Sequence, residues 1–269
     1  MPSRVIVTGA SGAMGAAAVR ALTAQGFAVV MACRNPAKAE AVRGGILADQ
    51  PGARIDIRPL ELSSLASVRG FVESLDDAPV SALFNNAGVI SRGYALTGDG
   101  LEHCFAVNYF GPVLLTRLLL PRLEPDARIV NMVSLTTRFV YIDAGSLRPA
   151  PEDFSQLGTY ARSKLALVHF SQELQRRCPT LRINLADPGI VNSNMISMGR
   201  WFDPLADVLF RPFIKTPEQG VQPALRALAS DTQGKYYVGK RVEALPDKFY
   251  DPALDLRLWE ETGCILGLD

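Results

Sequence analysis

Apolar residues in this chain fall into short unbroken runs, separated by stretches where they recur every three or four positions. Val5-Ile6-Val7 is one such run, and residues 27–33 form a longer one, Phe-Ala-Val-Val-Met-Ala-Cys. Unbroken runs, rather than alternating ones, mark strands covered on both faces. Strands are also predicted over residues 54–60, 81–84, 128–133 and 181–186, and a last one over 235–242. An Ala-rich helix follows the first run and ends near Gly26. Asn35 before Pro36 predicts a capped start to the second helix, and Ser63 or Ser64 starts the third. A long helix runs through Asn108 to Leu120, another carries Tyr160 and ends near Arg177, and a further one spans 218–230. Strands alternating with helices imply an α/β doubly wound parallel sheet, a Rossmann fold, with right-handed crossovers. No repeat, low-complexity stretch or linker divides residues 1–269, which read as a single domain.

Composition narrows the function classes. With 48% hydrophobic and 20% charged residues, the chain can bury a large core. A formal net charge of +1 gives no footprint for nucleic acid. The four cysteines are widely spaced, and both histidines, His103 and His169, lie in apolar helical runs. Neither a metal site nor a histidine-based triad is expected. Met1-Pro2-Ser3-Arg4 leads straight into a strand, so no signal peptide is expected. The most apolar stretch, 113–123, is interrupted by Arg117, Pro121 and Arg122 and is too short to span a bilayer. A reduced, cytoplasmic protein is the expectation.

Three segments carry chemistry. Gly9, Ser11, Gly12, Ala13, Met14 and Gly15 lie between the first strand and first helix, where glycines allow a pyrophosphate to approach a helix N-terminus. This predicts dinucleotide binding. The second strand ends at Cys33 with Arg34 and Asn35 after it and Lys38 one turn on, and no carboxylate stands there to repel a 2′-phosphate. NADP(H) is therefore favoured over NAD(H). Finally, Tyr160 and Lys164 are four residues apart and share a helix face. A cation beside a phenol favours the phenolate and makes it a usable acid and base.

Ala32-Cys33-Arg34-Asn35, the run from Tyr160 to Arg177 and Leu256-Arg257-Leu258-Trp259-Glu260 are most similar to the retinol dehydrogenase-like branch of the short-chain dehydrogenase/reductase family, which the chain resembles over nearly its whole length through a set of motifs in the family's order. They are the glycine turn, Asn85-Asn86-Ala87-Gly88, Asn108 in Val107-Asn108-Tyr109-Phe110-Gly111, Ser134, Tyr160 with Lys164, and Pro188-Gly189. The resemblance implies an oxidoreductase acting on CH–OH and C=O groups. Tyr160 would be the acid and base, and Lys164 would lower its pKa and bind the nicotinamide ribose. Ser134 would donate a hydrogen bond to the substrate oxygen, and Asn108 would hold the helix backbone and a water linking Lys164 to solvent. Asn86, Ala87 and Gly88 would lie by the adenine ribose, Glu61 and Leu62 at the adenine, and Ile190 and Ser193 at the nicotinamide end beside Pro188 and Gly189. The chain departs from the family at Ala13, where glycine is usual, and at Glu61, where Asp is usual. It also sets Ser134 and Tyr160 26 residues apart, farther than in most members.

Two segments are expected to shape the substrate site. One is 135–159, with Phe139, Tyr141, Ile142, Leu147 and Phe154; the other is 190–216, with Met195, Trp201, Phe202, Phe210 and Phe213 among its apolar residues. The second reads as a lid, a face packed on the core or on another subunit, or a membrane-surface patch. The expected partner is a small apolar carbonyl or alcohol such as a steroid or retinoid, with a homodimer or homotetramer as the assembly. Two other functions fit less of the pattern: a dinucleotide-binding sensor or scaffold without catalysis, and a sugar-nucleotide epimerase or dehydratase.

Overall fold

The strands are β1 (Arg4–Thr8), β2 (Ala28–Cys33), β3 (Arg54–Pro59), β4 (Val80–Asn85), β5 (Leu123–Met132), β6 (Arg182–Asp187), β7 (Lys235–Val238) and β8 (Arg241–Ala244). In the computed structural model, which describes residues 3–191 and 215–268, they form one sheet ordered β3-β2-β1-β4-β5-β6-β7-β8. Every pairing is parallel except β7 with β8. The strand order reverses between β1 and β4, so a crevice opens beyond their carboxyl ends, where such folds bind ligands. Around the sheet lie α1 (Ala13–Ala24), α2 (Pro36–Asp49) and α3 (Leu65–Ser74), then α4 (His103–Phe105), which continues through a π turn (Ala106–Phe110) into α5 (Gly111–Leu119). Helices α6 (Gln156–Arg177), α7 (Pro217–Leu228) and α8 (Pro252–Leu266) complete the structure.

The unbroken apolar strands have the predicted cause. Val5 and Val7 pack on one face with Ala18, Val19 and Phe84, while Ile6 packs on the other with Leu83, Val113 and Ile129. Both faces are dry, so neither parity can be polar. The helix from His103 to Arg122 is long and apolar enough to cross a membrane, but 78% of its central window is buried in this core.

Two C-terminal features differ from the sequence expectation. The single strand over 235–242 is a hairpin: Gly239 adopts φ +52°, in the left-handed region, and Tyr237 pairs antiparallel with Val242. After it comes α8, whose Asp251 cap accepts the Leu254 N–H at 2.9 Å. Its Asp255 is buried against His169 (2.5 Å) and Arg176 (2.5 Å) of α6. Trp259 stacks on Phe170 with centroids 5.5 Å apart, and the guanidinium groups of Arg117 and Arg177 each lie 4.7 Å from its ring.

Candidate active site

The turn after β1 is built for close approach. Gly9 has φ +63°, and a Cβ there would stand 3.0 Å from the Ala87 Cα. A Cβ on Gly15 would stand 2.3 Å from the Gly9 carbonyl oxygen, so only glycine lets α1 abut the turn. Gly12 caps α1 and donates its N–H to the Gly9 carbonyl at 2.9 Å. Ala13, the departure from the family pattern, is exposed at the helix start. Ser11 hydrogen-bonds the Cys33 thiol, whose pKa burial pushes up. Across the crevice the Asn86 amide donates to the Thr8 carbonyl at 2.9 Å. The Asn86 Oδ1 is buried with no partner. That orphaned acceptor, the glycine cradle and the helix N-terminus together fit a dinucleotide.

At the far end of the crevice Asn35 caps α2 by accepting the Lys38 N–H at 3.0 Å, and Lys38 is exposed. Arg34 is 73% exposed, but a carboxylate does stand beside it: Glu61 Oε2 is 3.6 Å from its Nε. This corrects the expectation from β2 alone, because β2 and β3 are neighbours and their ends meet. Glu61 Oε1 accepts hydrogen bonds from the Ser63 N–H (3.2 Å) and hydroxyl (2.8 Å). Leu62 is buried in the core rather than open to the crevice, its carbonyl pressed against Gly111.

A cavity of about 290 Å³ lies beyond β5 and β6. Ser134, Tyr160 and Lys164 meet in it beside Met14, Asn86, Gly88, Pro188, Gly189 and Ile190. Met132, Val133, Leu135, Phe139 and Leu157 add apolar wall. Ser134 caps a short 3-10 turn (Leu135–Phe139), its hydroxyl accepting from the Thr136 N–H at 3.3 Å. It also hydrogen-bonds the Tyr160 phenol. Of the aromatic and aliphatic residues expected to shape the pocket from 135–159, only Phe139 lines it. Ile142 and Leu147 are core, Tyr141 is 95% exposed, and Phe154 meets Tyr94 edge to face. Met195, Trp201, Phe202, Phe210, Phe213 and Ser193 lie outside the described residues.

Lys164 is buried, and its ammonium donates to the Met132 carbonyl at 2.9 Å. Burial pushes its pKa down to about 8. The expected lowering of Tyr160 is reversed: burial pushes the phenol up to about 12, only partly offset by its bond to Ser134. Depth sets the direction for both groups, because the same low-dielectric site disfavours either charge. Asn108 sits in the π turn and does not reach the cavity. Its Oδ1 accepts the Val89 N–H (2.8 Å), and its amide donates to the Val89 carbonyl (2.9 Å) and Ser163 Oγ (3.0 Å). Ser163 in turn donates to the Tyr160 carbonyl at 2.7 Å. Asn108 thus ties the strand-end loop to the Tyr160 helix. A Cβ on Gly88 would lie 3.2 Å from the Lys164 Nζ and 3.3 Å from the Asn108 Oδ1, so glycine is what lets these three segments meet.

Two residues of the site carried no expectation. Asp187 lines the cavity from the end of β6, and Lys215 donates to the Pro188 carbonyl at 3.0 Å. Asp187 had a visible signal, an acid closing an apolar central strand immediately before Pro-Gly.

This fold and this Ser-Tyr-Lys grouping define a nicotinamide-dependent dehydrogenase class, and known proteins agree. The family described as short chain dehydrogenase matches residues 3–200. Retinol dehydrogenase 13 of Homo sapiens is 32% identical over 280 residues, covering 98% of this chain and 85% of that protein. Polyprenol dehydrogenase of Mus musculus is 35% identical over 278 residues, covering 97% and 83%. A crystal structure of an uncharacterized protein from Mycobacterium Paratuberculosis superposes with TM-score 0.80 at 30% identity, covering 99% and 96%. A short-chain dehydrogenase from Sphingobium yanoikuyae in complex with NADPH shares the fold at TM-score 0.69 and 20% identity, covering 89% and 88%. The chain belongs to the short-chain dehydrogenase family of oxidoreductases, in its retinol dehydrogenase-like branch.

Proposed function

We propose that the chain is an NADP(H)-dependent oxidoreductase that interconverts an alcohol with a ketone or aldehyde on an apolar substrate. The observation that carries this reading is the meeting of Ser134, Tyr160 and Lys164 in one cavity whose remaining wall is largely apolar. In reduction, the substrate oxygen accepts hydrogen bonds from the Ser134 and Tyr160 hydroxyls, and Tyr160 transfers its proton there as negative charge develops. A phenol held near 12 is fully protonated at pH 7, which suits that direction. In oxidation Tyr160 accepts the alcohol proton, and the Lys164 ammonium nearby favours the phenolate that must form first. The nicotinamide, when bound, supplies or takes the hydride.

The glycine turn and the Asn86 amide would hold the dinucleotide, and Arg34 with Lys38 would meet a 2′-phosphate. The exposure of Arg34 supports this: its ion pair with Glu61 is long and solvated, so it can turn to a stronger anion. Names of relatives, retinol dehydrogenase and polyprenol dehydrogenase, support an apolar alcohol as substrate. The test is Tyr160→Phe, assayed with NADPH over retinoid, polyprenoid and steroid carbonyls. Turnover should fall about 10²- to 10⁴-fold while the cofactor still binds. Retained turnover refutes the assignment.

A further inference from the structure

Asp187 ends β6 and lines the cavity shared by Tyr160 and Lys164, yet the chemistry above does not use it. Its side chain is only 1% exposed. One carboxylate oxygen accepts the Gly189 N–H at 2.8 Å, and the other accepts the Tyr236 hydroxyl at 2.8 Å. Two oxygens that both accept are the pattern of an ionised carboxylate. Among the described residues it has no cationic partner within ion-pair distance. A buried charge without a counter-ion is costly to the fold, so a compensating use is expected when something cationic enters the site.

The geometry supplies that use. The Gly189 bond holds Pro188-Gly189 in its turn, where Gly189 has φ +72°, and that turn forms part of the cavity wall. We infer that Asp187 is a positioning residue that fixes this turn and sets its carboxylate in the wall of the cavity that would take the nicotinamide, favouring the oxidised, cationic ring over the reduced, neutral one. The inference rests on the dinucleotide reading of the site. The charged and titratable groups around Asp187 are consistent with it. Tyr160 and Lys164 share its cavity, and the carboxylate adds to the rise in the Tyr160 pKa. Tyr236 is pushed strongly up by burial and by Asp187. The Arg138 guanidinium lies 5.9 Å from the Tyr236 ring and 3.9 Å from Glu243, and it does not line the cavity. Lys215 is occupied by the Pro188 carbonyl.

The test is equilibrium titration of the protein with NADP⁺ and with NADPH, with no turnover involved. Asp187→Asn keeps an acceptor for the Gly189 N–H but removes the charge. The Kd for NADP⁺ should rise roughly five- to twentyfold relative to that for NADPH. An unchanged ratio overturns the inference. Tyr236→Phe is the companion variant and stands alone should Asp187→Asn fail to fold. It leaves the carboxylate with one donor fewer, so the preference for the oxidised form must hold or grow. Its loss in Tyr236→Phe would show that packing, not charge, acts, and would also overturn the inference. If the native protein binds neither form, the dinucleotide reading falls and the inference with it; if it binds both and the ratio is insensitive to Asp187, only the inference falls.

Discussion

Replacing Lys164 by methionine removes a cation that the fold holds against its preference for water. The side chain is 2% exposed, and its pKa falls from the ordinary 10.5 to about 8 because burial disfavours the ammonium. At about 1.36 kcal/mol for each tenfold loss of proton affinity, that fall is a penalty of about 3 kcal/mol. The sign follows from proton counting. Between about pH 8 and 10.5 the unfolded chain binds the proton that the folded chain has lost, so stability rises with pH across that window. Below pH 8 the penalty is in full force. Methionine has similar length and no charge, but it leaves the Met132 carbonyl without its 2.9 Å donor, a loss of about 1 kcal/mol. Lys164→Met should therefore be more stable than the native protein by about 2 kcal/mol at pH 7, and about equal to it at pH 9.5, while losing activity. Urea unfolding at both pH values, with matching slopes, measures this. A difference that does not change with pH would show that Lys164 titrates normally and would refute the argument from burial.

Other substitutions probe the cradle and the frame. Gly15→Ala drives a Cβ to within 2.3 Å of the Gly9 carbonyl, so it should cost about 1–3 kcal/mol by thermal melting and abolish cofactor retention. Native-like cofactor affinity in that variant would mean the turn is not the phosphate site. Arg34→Asp should move the kcat/KM ratio toward NADH, and an unchanged ratio refutes the 2′-phosphate role. Asp255→Ala leaves the buried His169 without its partner at the α6–α8 contact, while Arg176 keeps Glu173, and should destabilise by about 1–3 kcal/mol in denaturant unfolding. No measurable loss would show that α8 is held by its apolar packing and the Thr262–Tyr109 bond rather than by Asp255.

What could be seen in the sequence follows from how far each signal reaches along the chain. The central strands were legible because both faces of the sheet are dry there, and that alone forces unbroken apolar runs such as 27–33. Tyr160 and Lys164 were legible as a pair because helical geometry is local, so four residues of separation suffice to put them on one face. Features that depend on distant neighbours were not. The Glu61 carboxylate reaches Arg34 only because β3 lies beside β2, 27 positions on, and Asp187 is anchored by Tyr236 across β7. Helix α8 buries Asp255 and Thr262, polar residues whose partners His169, Arg176 and Tyr109 are far away in sequence. Burial is the least local quantity of all, and it reversed the one energetic expectation drawn from spacing. Proximity to Lys164 argues for an acidic Tyr160, yet the depth that brings the two together also disfavours the charge on each. At pH 7 the phenol therefore keeps its proton, while the lysine, at about 8, still carries its charge at a cost. The sign of the tyrosine shift is a property of burial in the folded site, which no spacing of residues along a chain encodes.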